Sequence, residues 1–419
     1  MFYNREEGES VYAYAFGVAL DIVLLLFFFI AVYYFILGVF SFFPEKERYG
    51  ENKTVSFAVL IPAHNEARVL PDLLDSIRKT EYPREKIGIF VIADRCMDQT
   101  AELAARFGAE AVVKTGGPDG KGAALRYGCA VLKEKLAGYD YITVLDADNL
   151  LDADYFLELA RMHNSGHPVV QGYVDVKNPY TSWIALAHAM WYWVPNRMQR
   201  MGRRNLGLSV SLQGTGFSIA AAQFLAVVQA ETGVAEDAEY TLALALEGDS
   251  VAYAKRAVVY DEKPDTFRAS VRQRVRWVQG LWQAQKKYRR GFIKNGMLSR
   301  IFALWGDGCS TFVFCLFFIV WFGTFFVRAG VWEARFLQLW IYPLNFVCLN
   351  LYIFGTFFMI FLGLWMDKKL DFKILLNIFG YLLYILSWIP VFFIGILRQS
   401  KNNWYHTEHH GRCGENWRI

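Results

Sequence analysis

Several features are scarce in this sequence, and each absence narrows the class of protein. Among 419 residues there are six cysteines, at positions 96, 129, 309, 315, 348 and 413. They form no CxxC pair and no metal-binding spacing, so we predict reduced structural thiols. The formal net charge of +4 is too small to indicate a partner made of nucleic acid. Internal repeats and low-complexity tracts are also absent.

The N-terminal apolar run lacks the marks of a cleaved signal peptide. Residues 12–40 are apolar over a length that can span a bilayer, with a single charge at Asp21. The leader before them, MFYNREEGES, is acidic rather than basic, and no small-residue cleavage site follows. We therefore expect a transmembrane helix within residues 1–42.

Comparable apolar stretches return only in the last third of the sequence, at 301–327, 336–366 and 373–397. The layout predicts an anchor, a soluble domain, a membrane-surface segment, membrane helices and a tail. The predicted boundaries are 1–42 for the anchor, 43–267 for the soluble domain, 268–300 for interfacial amphipathic helices, 301–397 for transmembrane or interfacial helices, and 398–419 for the tail.

Basic residues flank the predicted soluble domain on both sides. PEKERYGENK follows the first apolar run, and KKYRRGFIK precedes the second. Because lysine and arginine accumulate on the cytoplasmic side, we expect a plasma-membrane protein whose soluble domain faces the cytoplasm. Three full C-terminal spans would place the tail outside, although its basic residues favour the cytoplasm. Pro390 interrupts the last apolar stretch, which leaves an interfacial or re-entrant segment open.

Residues 55–150 alternate short β-branched runs with helical stretches, a pattern that predicts an α/β domain with a parallel sheet. Three apolar strands end in polar residues. These are His64 to Glu66, Asp94 with Arg95, and Asp146 with Asp148. Since ligands of open parallel sheets bind beyond the carboxyl ends of the strands, we expect these residues to converge on one crevice.

Each group of polar residues expected in that crevice also has a purely structural interpretation. The i, i+2 spacing of Asp146 and Asp148 suits a divalent cation that already holds a diphosphate, but it also suits two solvated loop aspartates. Asp94 and Asp98 are either turn acids and a helix cap or partners of a nucleotide base. Lys121 lies between glycines at a predicted helix start, which is an anion site or an ordinary glycine-rich loop.

The order of motifs resembles one family, the membrane-embedded family 2 glycosyltransferases that include cellulose, chitin and hyaluronan synthases. The resemblance covers about residues 55–290. The matching motifs, in chain order, are IPAHNE (61–66), VIADRCMDQT (91–100), GKGAAL (120–125), LDADN (145–149), GTGFSI (214–219), EDAEYTLAL (236–244) and a QxxRW signature at Gln273, Arg276 and Trp277.

This resemblance implies a nucleotide-sugar-binding domain of glycosyltransferase A type, with a mixed, largely parallel sheet, joined to an α-helical transmembrane bundle. It implies a UDP-sugar donor and Mg²⁺ or Mn²⁺ as cofactor. Asp148 would be the principal metal ligand, with Asp146 beside it. The residues implied to line the nucleotide site are Ala63, Asn65, Glu66, Asp94, Lys121 and Asp146.

The acceptor hydroxyl needs a base, and the resemblance assigns it to Asp237, next to Glu236. Both open a helical stretch, where the helix dipole favours an ionised carboxylate. A purely structural role as helix caps is the alternative. The family's usual threonine is replaced by Ala235, since the sequence reads VAED.

The resemblance further implies that Gln273 and Arg276 hold the diphosphate, while Trp277 stacks on the acceptor sugar. A loop at Gly214, Thr215 and Gly216 would border the acceptor. We expect Arg272 and Arg274 to contact lipid head groups or the soluble domain, and residues 182–200 to form an interfacial helix. In the tail, the candidates for a segment that gates the donor site are Trp404, Thr407 and Arg412.

Together these features predict an inverting, metal-dependent enzyme that extends a β-linked polysaccharide from UDP-glucose or UDP-N-acetylglucosamine and exports it through its own membrane helices. Its expected partners are the donor, the growing polysaccharide or a lipid acceptor, and membrane lipids. One alternative is a non-processive enzyme that adds a single sugar to a lipid. Another is a transporter or receptor with an inactive domain, against which the complete set of acidic residues argues.

Overall fold

The structure is a computed structural model that describes residues 29–44, 53–296 and 343–399. The first part of the expected anchor, the apolar stretch 301–327, and the tail with Trp404, Thr407 and Arg412 lie outside the described residues.

One mixed sheet of eight strands forms the centre of the soluble domain, in the order β3-β2-β1-β4-β7-β6-β8-β5. The strands β1 to β4 pair in parallel, whereas β7 runs antiparallel to both β4 and β6. The parallel half and the strand endings after Ala63 and Asp94 confirm the sequence prediction. The bounds of the strands are Phe57–Ala63 (β1), Ile87–Asp94 (β2), Glu110–Lys114 (β3), Tyr141–Val144 (β4), Leu150–Leu151 (β5), Val169–Val176 (β6), Phe217–Ala220 (β7) and Ala252–Asp261 (β8).

Helices cover the sheet and continue beyond it. Their bounds are Leu70–Arg78 (α1), Thr100–Arg106 (α2), Lys121–Val131 (α3), Lys133–Leu136 (α4), Tyr155–Asn164 (α5), Trp183–Pro195 (α6), Gly202–Asn205 (α7), Ala221–Val227 (α8), Glu236–Leu246 (α9), Phe267–Lys294 (α10), Pro343–Met366 (α11), Phe372–Leu376 (α12), Ile378–Leu386 (α13) and Trp388–Leu397 (α14). A 3₁₀ turn lies at Arg84–Lys86 and a π-helical turn at Asn196–Met201.

Residues 182–200, which we predicted to form an interfacial helix, contain the helix α6 and most of the π-helical turn that follows it. Most of its side chains are buried, and the π-helical turn that follows Pro195 is buried throughout. The helix packs against β6 on one side and against α11 and α13 on the other. Its apolar surface therefore joins the sheet domain to the C-terminal helices.

The segment between α11 and α12 is fixed to the soluble domain by ion pairs. Asp367 accepts from Arg197 at 3.0 Å and from Lys255 at 2.8 Å. Lys369 Nζ lies 2.7 Å from Asp175 Oδ2. Asp367 and Lys369 thus face the soluble domain.

Among the residues that the structure describes, one stretch, Ile378–Leu397, is long and apolar enough to cross a bilayer by length and composition. A short turn at Ser387 divides it into α13 and α14. Pro390 explains the division, because proline clashes with the carbonyl four residues earlier, that of Leu386. The interruption predicted from Pro390 is confirmed. Phe29–Phe40 and Ile353–Met366 form shorter apolar helices.

Candidate active site

A cleft of about 720 Å³ opens at the carboxyl ends of β1, β2 and β4 and is closed on its far side by α10. The predicted convergence at this edge of the sheet is therefore found. The predicted site residues that line the cleft are Ala63, Glu66, Asp94, Lys121, Asp146, Asp148, Gly214, Glu236, Asp237, Gln273, Arg276 and Trp277.

The loop after β4 carries Asp146 and Asp148. Asp148 is only 4% exposed, which rules out the solvated-loop alternative for this residue. Its backbone carbonyl accepts from Lys177 Nζ at 3.1 Å. Asn149 Nδ2 donates to Asp148 Oδ1 at 3.3 Å and to Asp261 Oδ1 at 3.0 Å, so an amide separates two carboxylates.

Lys121, at the first residue of α3, is bound by the protein itself. Its Nζ donates to Asp146 Oδ1 and to the carbonyl of Gly214 at 2.8 Å, and it lies 3.6 Å from Glu236 Oε1. Burial disfavours the ammonium, but the charges of Asp146 and Glu236 outweigh it and raise the pKa of Lys121. The lysine connects the loop after β4, the Gly214 loop and the start of α9.

Glu236 and Asp237 are the first two residues of α9 and both face the cleft. Burial raises the pKa of Glu236 to about 7, with Lys121 opposing and Asp237 reinforcing the shift. Burial also raises the pKa of Asp237, although the Ala238 amide donates to its Oδ1 at 2.8 Å. Two adjacent carboxyls with raised pKa values suit proton transfer near neutral pH.

Asp94 and Asp98 differ in environment. The buried Asp94 accepts from Lys114 Nζ at 2.7 Å and from Arg95 Nε at 3.0 Å, and it lines the cleft. Asp98 instead accepts from the amides of Ala67 and Thr100, each at 3.0 Å, outside the cleft lining. For Asp98, the turn and helix-start alternative is the one that the structure supports.

The remaining predicted residues lie just behind the cleft surface. Asn65 has a φ of 57° and its Oδ1 accepts from the Met97 amide at 2.7 Å, so it holds the loops after β1 and β2 together. Thr215 is buried, and its Oγ1 accepts from the Asp146 amide at 3.0 Å. The Gly216 amide donates to the Val144 carbonyl at 2.9 Å. All three therefore shape the loops that carry the cleft residues.

The helix α10 brings the QxxRW side chains to the cleft on one face. Arg276 forms no ion pair within the described part of the chain, and Gln273 Oε1 accepts no hydrogen bond there. The Trp277 ring stacks on Trp191 at 5.6 Å between centroids, with 17° between planes. On the same face, a Cβ at Gly280 would lie 2.4 Å from Ala235 Cβ, so only glycine lets α10 approach the start of α9 this closely.

Among the cleft residues that were not predicted from the sequence, Asp261, Lys263 and Tyr192 form one cluster. Lys263 pairs with Asp261 Oδ2, and its Nζ lies 3.7 Å from the centre of the Tyr192 ring. Burial raises the pKa of Asp261 to about 6. The charge of Lys263 lowers this pKa, and repulsion from Asp148 and Asp146 raises it further. The available signal was the position of Asp261 at the end of an apolar strand, β8, which parallels that of Asp94 on β2.

Residues 55–280 match the family described as "Glycosyltransferase like family 2", and the chain belongs to this family. It is accordingly a family 2 glycosyltransferase.

Two curated relatives illustrate the range of similarity. The probable glycosyltransferase YdaM of Bacillus subtilis (strain 168) is 26% identical over 388 residues, covering 85% of this chain and 87% of that protein. A poly-β-1,6-N-acetyl-D-glucosamine synthase of Staphylococcus aureus (strain COL) is 26% identical over 266 residues, covering 60% of this chain and 63% of the synthase.

Among solved structures, a mannosyltransferase of Pyrobaculum calidifontis, PcManGT, in complex with GDP-Man and Mn²⁺, is similar with a TM-score of 0.56. It is 16% identical, and the alignment covers 93% of this chain and 99% of that one. This likeness concerns the fold, and it supports the α/β sheet domain of glycosyltransferase A type.

Proposed function

We propose that this chain is an inverting, metal-dependent glycosyltransferase that transfers a sugar from a UDP-sugar and extends a β-linked polysaccharide. The observation that carries the proposal is one cleft lined by Asp146 and Asp148, by Asp237, and by Arg276 with Trp277. A donor diphosphate, a base and an acceptor surface are the three requirements of such a transfer, and these residues supply side chains suited to each.

The diphosphate would lie between the loop after β4 and α10. Asp148, with Asp146 beside it, offers the one or two carboxylate ligands that Mg²⁺ or Mn²⁺ takes when phosphate oxygens complete the shell. Within the described ranges, no group of three or more His, Cys, Asp or Glu side chains could hold a metal ion by itself. Such a donor set fits a cation that arrives with its diphosphate, and when bound it would neutralise charge on the leaving group.

Arg276 would then act on the leaving group, and Asp237 would act on the attacking hydroxyl. The guanidinium of Arg276, which has no carboxylate partner among the described residues, would stabilise the charge that develops on the departing UDP. Asp237 would accept the proton of the attacking hydroxyl, and its raised pKa favours that transfer near neutral pH. Trp277 offers an aromatic edge to the acceptor sugar.

For the nucleotide, the proposed contacts are Ala63, Glu66 and Asp94 at the ends of β1 and β2, with Asn65 supporting the loop. The ion pairs with Lys114 and Arg95 hold the Asp94 carboxylate in place at the cleft. For the sugar, the similarity to a synthase of poly-β-1,6-N-acetyl-D-glucosamine supports N-acetylglucosamine over glucose.

The membrane arrangement belongs to the same proposal. Residues 1–42 would anchor the chain, residues 43–267 would form the catalytic domain in the cytoplasm, and 268–300 would lie at the membrane surface. Residues 301–397 would cross or line the plasma membrane and pass the product, while the tail 398–419 would gate the donor site. The apolar stretch Ile378–Leu397 supports this arrangement. Reporter accessibility at residue 419 tests it, since an external tail would remove the gating role.

The decisive test is UDP release by the purified protein in detergent with each common UDP-sugar, in Mg²⁺ or Mn²⁺, with the radiolabelled product sized on a gel. A polymer from UDP-N-acetylglucosamine that disappears with EDTA is the expected result. Absence of turnover with every donor, at protein concentrations where a known synthase is active, would contradict the proposal.

A second candidate is the transfer of one sugar to a lipid acceptor. The observation in its favour is that the sequence has four long apolar stretches, at 12–40, 301–327, 336–366 and 373–397, which are few for the wall of a wide secretion channel. The same gel distinguishes the two functions, because a single-sugar lipid product would extract into organic solvent and would not grow with time.

A further inference from the structure

One arginine of the QxxRW segment faces away from the cleft. On an α-helix, Arg274 is turned about 200° from Arg276 and about 100° from Gln273. Its side chain is completely buried, and it is one of the largest fully buried side chains among the described residues. We expected Arg274 to contact lipid head groups or the soluble domain, but its guanidinium donates to Tyr384 and Ser387 of the C-terminal helices. Arg272, on the same helix, is exposed.

The guanidinium of Arg274 is held by backbone and hydroxyl groups of the C-terminal helices. Its Nη1 donates to the Tyr384 carbonyl at 3.2 Å and to Ser387 Oγ at 2.9 Å. Its Cζ lies 4.3 Å from the centre of the Tyr384 ring and 5.2 Å from that of Trp388. In the part of the chain that the structure describes, Arg274 forms no ion pair with a carboxylate.

The break between α13 and α14 creates this binding position. Pro390 has no amide hydrogen and conflicts with the Leu386 carbonyl, so the helix is interrupted at Ser387. At the interruption the Tyr384 carbonyl accepts from Ser387 Oγ at 2.6 Å as well as from Arg274. A carbonyl at a helix end needs a donor when it is buried, and a guanidinium supplies one along with a positive charge at the helix C-terminus.

The same break places an aromatic ring against the site. Trp388, the first residue of α14, stacks on Trp191 at 5.1 Å, and its ring centroid lies 6.5 Å from that of Trp277. Further along α14, a Cβ at Gly395 would lie 2.6 Å from Val278 Cβ, so α14 is seated closely along α10. The position of Trp277 at the cleft thus depends on helices outside the sheet domain.

We propose that Arg274 is a positioning residue, which fastens α10 to the break between α13 and α14 and so sets where Arg276 and Trp277 stand in the cleft. It contacts no substrate. The inference rests on the proposed function for its kinetic consequence, whereas its structural consequence, a fixed α10, can be measured without any turnover.

The experiment compares Arg274→Ala, Arg274→Lys and Ser387→Ala in the full-length protein in detergent, with Arg272→Ala as the matched control on the exposed side of α10. We expect Arg274→Ala to lower kcat between about 10-fold and 100-fold with a change in donor KM below about twofold, since a misplaced group costs rate more than binding. Arg274→Lys should recover part of kcat, because an ammonium keeps the charge and can donate to the same acceptors but lacks the planar guanidinium that lies against the Tyr384 and Trp388 rings.

Two further readouts separate positioning from a general loss of folding. Hydrogen exchange of the peptide spanning 270–280 should accelerate in Arg274→Ala and stay at the wild-type rate in Arg272→Ala. Adding Ser387→Ala to Arg274→Ala should cost less activity than Ser387→Ala costs in the wild type, because the hydrogen bond that the two residues share is already gone. A wild-type kcat for Arg274→Ala, or unchanged exchange in 270–280, would overturn the inference. If no variant and no wild-type protein turns over any donor while exchange in 270–280 still accelerates, the proposed function fails and the positioning role stands.

Discussion

The wall of the cleft that the sheet builds differs from the wall that α10 builds in how its charges are balanced. On the sheet side, Lys114 pairs with Asp94, and Lys121 lies between Asp146 and Glu236. On the α10 side, Arg276 has no ion pair within the described residues. The sheet wall is therefore set by internal ion pairs, whereas the α10 wall presents a guanidinium that lines the cleft without an ion pair to any described residue. Four predictions test this contrast.

The largest effect is expected at Asp237, the proposed base, which lies at the start of α9. Asp237→Asn should lower kcat by about 10³-fold or more, because the amide cannot accept the proton. UDP affinity, measured by calorimetry, should change less than about threefold, since the proposed role of Asp237 is toward the acceptor hydroxyl and not toward the donor. Asp154→Asn, at an exposed aspartate, is the control and should behave as the wild type. Retained turnover in Asp237→Asn would remove Asp237 as the base.

The next effect is expected at Arg276, the cation of the α10 wall. Arg276→Ala should reduce kcat/KM by about 10²-fold and weaken UDP binding, because both depend on the diphosphate charge. Uridine, which lacks the diphosphate, should bind with unchanged affinity, as measured by the same calorimetry. Arg272→Ala provides the matched control on the same helix. Equal losses for UDP and uridine would mean that Arg276 acts through the fold instead of the diphosphate.

A smaller effect concerns pH. Because burial raises the pKa of both Glu236 and Asp237, with Glu236 at about 7, kcat/KM should fall as pH is lowered through about 7. Glu236→Gln removes one of the two coupled charges, so the remaining carboxyl should ionise more easily and the acid limb should move to lower pH. Glu247→Gln, at an exposed position of the same helix region, should leave the limb where it is. If the acid limb of the kcat/KM profile does not move in Glu236→Gln, the ionisation of Asp237 does not depend on the charge of Glu236.

The smallest effect is expected where the two walls meet. A methyl group at Gly280 would lie 2.4 Å from Ala235 Cβ and 2.8 Å from the Ala235 amide nitrogen. Gly280→Ala should therefore destabilise the folded state by about 1–3 kcal/mol, as overpacked sites do. Gly116→Ala, where no atom lies within 4 Å of an added Cβ, is the control in thermal unfolding experiments. Equal melting temperatures for both variants would show that α10 can shift away from Ala235 without a loss of folding free energy.

The sequence predicted the strands correctly where buried residues form a continuous apolar run. The strands β1, β2 and β4 are continuous apolar runs that end in polar residues, and a parallel sheet buried on both faces produces that pattern. The mixed half of the sheet gives a weaker pattern, since β6 buries Gln171 and Asp175 among its apolar residues. The sequence does not distinguish a polar residue that is buried with its hydrogen bonds made from a polar residue that is exposed to solvent.

The spacing of residues in the sequence also could not show which side chains line the cleft and which hold the surrounding loops and helices in place. Asp94 and Asp98 are four residues apart and share one motif, yet one is charge-balanced in the cleft and the other binds amides of a turn. Likewise Arg274 and Arg276 are two residues apart on one helix, and only the packing of α13 and α14 decides which of them reaches the cleft.

By itself, the sequence determined the class of domain, the edge of the sheet where the site would form, and twelve of the residues that line it, because strand period and the carboxyl ends of parallel strands follow from local chain geometry. The tertiary structure decided which charges are balanced internally and which remain for a ligand. Those pairings join residues far apart in sequence, such as Lys121 with Glu236 and Arg274 with Ser387, and depend on distances that only the packed helices set.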